Sequence, residues 1–192
     1  MRDNFLLWSH GYDSTVLKAW MEHKGLNPKT FFFIMEDTDS KLINVGEILE
    51  NKEFDYFDKM RSKVEKDSFN PCRNARFVLE LINRIYPKDA NIYIGLIANT
   101  EFIDTTQEWV DAINAYLRVE FGDKYKVVAP FIDKDKDEVY KIGCSLGVDM
   151  NKTFSCNFAN NAGEPCGQCT DCKWRAAQKY KFYLTKNEME DL

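Results

Sequence analysis

Apolar positions along the chain form short continuous runs that alternate with stretches at helical spacing. Phe5-Leu6-Leu7-Trp8 reads as a strand, followed by a Ser/Gly turn and a helix from about Ser14 to His23. Thr30-Phe31-Phe32-Phe33-Ile34-Met35 is a second buried strand, ended by the polar group Glu36-Asp37-Thr38-Asp39-Ser40. A helix is expected from Lys41 to Asn51 with Val45, Ile48 and Leu49 inward, and Phe54 and Phe57 belong to a third, weaker strand. Phe77, Val78, Leu81, Ile82 and Ile85 share one face of a helix over Ala75 to Tyr86, which Pro87 stops. Ile92 to Ile97 and Val127 to Phe131 are the last two strands, with helices after them at Gln107 to Phe121 and Lys136 to Leu146. Strands separated by single helices predict an α/β fold with a doubly wound, mostly parallel sheet. Ligands then belong beyond the carboxyl ends of the strands, in the loops after Trp8, Met35, Leu96 and Pro130.

Composition narrows the class. The 192 residues suit one domain or one domain with a small appendage, and 44% hydrophobic with 14% aromatic residues can build a sizeable core. The 26 basic and 31 acidic residues leave a net charge of -5, which argues against a nucleic-acid coat or a polybasic membrane anchor. The apolar run at Phe5 to Trp8 is too short for a signal-peptide core or a membrane span. A cytoplasmic, reducing setting is expected, so clustered thiols read as metal ligands rather than disulfides. The aromatic run Phe31 to Phe33 reads equally as core or interface.

Four of the six cysteines cluster near the C-terminus. Cys156 is followed by Cys166-Gly167-Gln168-Cys169-Thr170-Asp171-Cys172, two overlapping Cys-x-x-Cys turns plus a fourth thiolate. That set makes a closed tetrahedral site of the structural zinc type; an iron–sulfur cluster or redox dithiols could use the same thiols. The expected role is to pin Thr153-Phe154-Ser155 and a helix from Lys173 onward against the sheet. On this basis residues 1–150 form the α/β domain and 151–192 a zinc-binding C-terminal subdomain packed on it.

Ser9-His10-Gly11-Tyr12-Asp13-Ser14-Thr15 joins the first strand to its helix. Small and hydroxylated residues there can surround a phosphate at the positive end of a helix, and they equally suit an ordinary turn with a helix cap. The loop is neither a Walker loop nor a dinucleotide turn. Ser9, Gly11, Asp13, Ser14 and Thr15 do resemble the Ser-Gly-Gly-x-Asp-Ser pyrophosphate loop of the N-type ATP pyrophosphatases, with His10 where the first Gly belongs. If the backbone there needs positive φ, a side chain costs roughly 1–2 kcal/mol. Alternatively, the imidazole adds a donor near the leaving pyrophosphate. The departure bears on turnover more than on nucleotide binding.

The loop and the cysteine cluster together resemble the 7-cyano-7-deazaguanine synthase family. Asn70-Pro71-Cys72-Arg73-Asn74 is similar to its Pro-Gly-Arg-Asn turn, and Gly95-Leu96 followed by Asp104 to its Gly-Val strand end with a downstream Asp. Pro130-Phe131 with Lys134, Lys136, Glu138, Val139, Gly143, Leu146, Gly147 and Val148 resembles the segment ahead of its zinc loop. Thr153 to Cys156, the Cys166 to Cys172 run and Arg175 resemble its C-terminal signature, and the region around Arg61 to Phe69 is shortened.

The resemblance implies an adenine nucleotide alpha hydrolase-like sheet and a stepwise ligase chemistry. ATP adenylylates 7-carboxy-7-deazaguanine, ammonia displaces AMP to give an amide, and a second ATP drives loss of AMP to leave the nitrile. Ser9 to Thr15 would hold ATP, with Asp13 a Mg²⁺ ligand or simply a cap in the first turn of the helix. Arg73 would neutralise phosphate or carboxylate charge, or form a surface ion pair. Lys134 and Lys136 are similar candidates, or solvated charges. Asp104, Glu108 and Trp109 would face the deazapurine, replacing the family's Tyr-Pro-Asp-Cys. The other reading makes Glu108 a helix opener and Trp109 core. Cys72, where the family has Gly, is a nucleophile or a small filler. The partners expected are the deazapurine and ammonia, with no stable nucleic acid and no membrane, and a homodimer is open.

Competing expectations follow from the same residues. The reaction stops at the amide; the activated deazaguanine passes to a protein or other amine; the substrate is tRNA; or the chain is a zinc-stabilised binding module without turnover.

Overall fold

The computed structural model describes residues 2–35, 56–60, 72–156, 158–160 and 164–178, with the backbone alone described for residues 34, 35 and 56–60. The helix expected at Lys41 to Asn51, the polar group at 36–40, Phe54, residues 61–69 and the start of the Asn70-Pro71 turn lie outside the described residues.

Five strands form one parallel sheet: β1 (Asp3–Leu7), β2 (Lys29–Met35), β3 (Tyr56–Met60), β4 (Ala90–Ile94) and β5 (Tyr125–Val128). Their order across the sheet is β3-β2-β1-β4-β5. The described helices are α1 (Tyr12–His23), α2 (Arg73–Ile85), α3 (Gln107–Phe121) and α4 (Lys136–Ser145), and residues 170–178 are also helical. The doubly wound reading therefore holds. β1 and β4 are neighbours while the chain leaves β1 toward β2 and β3, so the order reverses between them. In an open α/β sheet that reversal opens a crevice at the carboxyl ends.

Three strand ends differ from expectation; β1 stops at Leu7 and leaves Trp8 in the loop. β4 stops at Ile94 and β5 at Val128, so Leu96-Ile97 and Ala129-Pro130-Phe131 lie in the loops beyond. Leu96, Ile97 and Phe131 are buried nonetheless. Burial, not strand pairing, is what their apolar character records.

Phe5, Leu7, Phe31, Phe33, Ile92 and Ile94 share one buried cluster with Val78, Leu81 and Ile82 of α2 and Val110, Ile113 and Leu117 of α3. Phe33 and Phe77 stack at 5.0 Å. The Phe31 to Phe33 run is buried, which answers the core-or-interface question for these residues. α1 packs against α4. A Cβ on Gly143 of α4 would lie 2.7 Å from Val16 Cγ2 and 2.9 Å from Tyr12 Cζ, so only glycine permits this approach. The edge strand β5 is covered by Asn114 of α3, whose amide accepts from Val127 N–H (2.8 Å) and donates to Val127 C=O (3.0 Å). Pairing an edge this way removes a template for unwanted strand addition.

The chain divides into two compact units, Met1–Asp37 with Lys52–Phe154, and Thr38–Asn51 with Ser155–Leu192. Among the described residues no helix is long and apolar enough to cross a membrane.

Candidate functional site

Loop 9–15 leaves β1 beside the crevice. His10 has φ 58°, the left-handed region that favours glycine. Two contacts hold it there, one of them to a buried ring. Its carbonyl accepts from Phe154 N–H at 2.9 Å, its ring lies 4.7 Å from the Trp8 ring, and Trp8 is buried. Trp8 Nε1 in turn donates to Thr15 Oγ1 at 3.0 Å. Thr15 and Ser14 both donate to the Gly11 carbonyl, at 2.9 and 3.1 Å, and Ser9 N–H donates to Ser14 Oγ at 3.3 Å. The hydroxyls thus brace the loop.

α1 begins after Gly11 with no side-chain cap, and Asp13 sits in its first turn. Asp13 is therefore not the helix cap. Tyr12 turns away from the loop: it is buried against α4, with its hydroxyl donating to the Tyr140 carbonyl at 3.3 Å. Across the crevice, a Cβ on Gly95 would lie 3.2 Å from Ser14 N and Cα. The backbone after β4 thus passes close to the first turn of α1. Small residues, backbone amides and one carboxylate form a donor set suited to a nucleotide's phosphates with their magnesium.

Lys134 is half-buried, its ammonium 3.3 Å from Asp133, and its carbonyl accepts from Ala98 N–H at 2.8 Å. Lys136, by contrast, reaches the loop. Its Nζ lies 3.9 Å from Asp13 Oδ2, each side chain 24% exposed. Sequence reasoning left Lys136 undistinguished from Lys134, because nothing local signals a partner on another helix.

A second group gathers where α2 begins. Cys72 precedes α2 with φ 58° and is exposed, so it is not a packed filler. Arg73 lies 5.7 Å from the Phe102 ring. Asn74 is buried and donates to the Asp104 carbonyl at 2.8 Å, joining α2 to the turn Ile103–Thr105. Arg73 and Asp104, far apart in sequence, are thereby neighbours through Phe102 and Asn74. Asn74 was the missed member; its signal was its place at the end of the Pro-Cys-Arg-Asn turn. Trp109 packs against the hydrophobic cluster, and Glu108 is exposed in the first turn of α3, which Thr106 caps by accepting from Trp109 N–H at 3.2 Å.

In the second unit, the sulfurs of Cys156, Cys166, Cys169 and Cys172 lie within 4.8 Å of one another. A tetrahedral zinc would set its sulfurs about 3.8 Å apart, and Cys166 and Cys172 are already at 4.0 Å. Backbone N–H groups point at the sulfurs: Cys166 N to Cys156 Sγ (3.3 Å), Gln168 N and Cys169 N to Cys166 Sγ (3.4 and 3.3 Å), and Cys172 N to Cys169 Sγ (3.5 Å). Gly167, at φ 70°, allows the first turn of this knuckle. The amides of Gln168 and Cys169 hold the Cys166 thiol down to about 6, whereas burial pushes Cys172 up to about 12. The cluster could hold a metal ion, and four converging thiolates need a cation to offset their repulsion. Arg175 donates to Ser155 Oγ at 3.4 Å, tying the 170–178 helix to the residue before Cys156.

Comparison with known proteins adds the family. The sequence model of "Queuosine biosynthesis protein QueC" matches residues 32–182, a stretch that begins after loop 9–15. The 7-cyano-7-deazaguanine synthase of Rickettsia massiliae (strain Mtu5) is 32% identical over 129 residues, covering 62% of this chain and 55% of that protein. The synthase of Legionella pneumophila (strain Corby) is 29% identical over 116 residues, 56% and 51% of the two chains. The chain spans about half the length of these curated relatives. Among solved structures, a predicted subunit of tRNA methyltransferase from Methanocaldococcus jannaschii superposes with TM-score 0.47 at 12% identity, covering 75% of this chain and 74% of that one. The U34-tRNA thiolase NcsA from Methanococcus maripaludis gives TM-score 0.42 at 16% identity, covering 84% and 62%. The QueC match runs from the second strand through the cysteine cluster and takes in most of the sequence, and on that match the chain belongs to the QueC family.

Proposed function

We propose that this chain is an ATP-dependent C–N ligase of 7-deazaguanine biosynthesis, converting 7-carboxy-7-deazaguanine with ammonia to 7-cyano-7-deazaguanine. The observation that carries the reading is the approach of loop 9–15, Gly95 and Lys136 at the β1/β4 crevice, in a chain of the QueC family. Residues 1–150 would form the ATP domain and 151–192 the zinc-binding subdomain.

In this reading the first-turn amides of α1, Ser9, Gly11, Ser14 and Thr15 bind the phosphate chain. Magnesium at Asp13 would offset phosphate charge when bound. The substrate carboxylate attacks the α-phosphorus, pyrophosphate leaves, and ammonia displaces AMP from the acyl adenylate to give the amide. The amide oxygen is adenylylated by a second ATP; loss of AMP and protons leaves the nitrile. Acceleration comes from positioning and charge neutralisation, to which Arg73 and Lys134 contribute. Arg73, Asp104, Glu108 and Trp109 would face the deazapurine, although Trp109 also packs on the core. The four cysteines would hold a structural zinc.

A specific observation favours a second reading, in which the product is the amide. His10 puts an imidazole into the phosphate loop at a left-handed backbone position, where the pyrophosphate loop it resembles carries glycine. Mass spectrometry of the reaction of 7-carboxy-7-deazaguanine, ATP and ammonium tests both. Nitrile as the main product supports the first reading, and amide as the end product supports the second. Absence of AMP and pyrophosphate release would overturn both and leave the binding-module alternative.

A further inference from the structure

We propose that the solvent-facing side of α3 docks on the same side of a second copy of this chain, the two helices antiparallel across a twofold axis. This interaction is independent of the proposed activity.

A helix that covers a sheet ordinarily turns one apolar stripe inward and carries charged or polar residues on the other side. α3 buries Val110, Ile113 and Leu117. At about 100° per residue, Ala112, Ala115 and Val119 fall on the opposite side in one line, with Tyr116 flanking them. All four are exposed, Val119 at 88% and Tyr116 at 47%. A β-branched side chain lowers helix propensity, so a solvated helix position gains nothing locally from valine. The two alanines remove bulk from the middle of the line, which lets another helix approach closely. Tyr116 and Val119 give that helix apolar surface to cover.

Charge decides which helix fits. Asp111 and Arg118 lie along the other edge of the line, two turns apart on one side of α3. Antiparallel helices related by a twofold axis bring like edges together, so Asp111 of one copy faces Arg118 of the other, and the same pair repeats at the far end. A parallel pairing would set Asp111 against Asp111 and Arg118 against Arg118. Within the chain both groups have only exposed partners. Arg118 Nε lies 3.9 Å from Asp123 Oδ1, with side chains 73% and 90% exposed, and Asp111 accepts from Gln107 Nε2 at 2.8 Å. Exposed pairs of this kind contribute little and are readily exchanged. Glu108 continues the line only at its N-terminal end, at the margin of the antiparallel contact, where it keeps its water. One helix pair covers less than the roughly 800 Å² per partner of a standard interface, so the association should be weak and concentration-dependent.

Sedimentation velocity and light scattering of the 192-residue chain over a micromolar concentration series test this. The wild type should pass from monomer to dimer. Val119→Glu puts a carboxylate on the apolar line and should raise the dissociation constant by at least about tenfold. Asp111→Arg and Arg118→Asp should each weaken the dimer by setting like charges face to face. The double swap should recover it, because both pairs re-form with their signs exchanged. Lys141→Glu, at an exposed position on α4, should change little. The urea midpoint of each variant checks the fold, and Val119→Gln replaces Val119→Glu if the latter unfolds. A chain that stays monomeric throughout the series would overturn the proposal. A dimer unmoved by substitution of Val119 would overturn it by placing the interface elsewhere. A double swap no tighter than the weaker single variant would overturn the antiparallel pairing.

Discussion

The imidazole of His10 lies 4.7 Å from the indole of Trp8, the two rings tilted by 34°. This contact accompanies a left-handed backbone at His10, and Cys72 adopts the same φ of 58° with an exposed side chain. The two left-handed positions therefore differ in what their side chains give back.

That difference predicts unequal responses to glycine. Relief of the left-handed strain is worth about 1–2 kcal/mol, less about 0.5–1 kcal/mol for the freer unfolded chain. Cys72→Gly should then raise stability by up to about 1.5 kcal/mol. His10→Gly also loses an aromatic contact worth about 0.5–1.5 kcal/mol and should be close to neutral. Urea unfolding midpoints decide; equal gains at both sites would mean that the Trp8 contact contributes nothing.

Gly143→Ala should cost about 1–3 kcal/mol, because its Cβ would meet Val16 and the Tyr12 ring and force α1 from α4. Tyr12→Phe removes the hydroxyl nearest that Cβ, so the double variant should lose less than the sum of the two single losses. Additive losses in denaturant titrations would place the crowding elsewhere.

Asn74→Ala should cost about 1–3 kcal/mol by stranding the Asp104 carbonyl. Its mark is local: hydrogen exchange should quicken in the Ile103–Thr105 turn more than in β4. Under the proposed activity, KM for the deazapurine should rise more than KM for ATP. Uniform change in both would show Asn74 to act on the fold alone.

Metal removal should act on the second unit. A chelator, or Cys169→Ser, should release the bound ion and melt the helix at residues 170–178, since metal binding and folding are coupled at such sites. Elemental analysis reads the ion, and circular dichroism with hydrogen exchange reads the helix. Unchanged protection at 170–178 after complete metal loss would show that the thiols order this segment without it.

Much of the fold was legible in the pattern. The α3 bounds, Gln107 to Phe121, follow from apolar spacing between a Thr cap and a glycine. The cysteine knuckle follows from local spacing, since two Cys-x-x-Cys turns converge within a few residues. Strand ends were less legible: Leu96, Ile97 and Phe131 are apolar because they are buried, and burial does not distinguish a strand from the loop beyond it. Lys134 and Lys136 look alike in sequence, yet they have different ion-pair partners, Asp133 and Asp13.

The sequence by itself determined the alternation of strands and helices, the Ser/Gly loop between the first strand and its helix, and the four-thiol cluster, because each depends on residues close together in the chain. Tertiary structure alone decided the order β3-β2-β1-β4-β5, the left-handed backbone at His10 and Cys72, and the pairing of Lys136 with Asp13. Those features depend on which elements pack together. No periodicity within one segment encodes the distance between two helices, and here that distance is set by a single glycine on α4 receiving the Tyr12 ring.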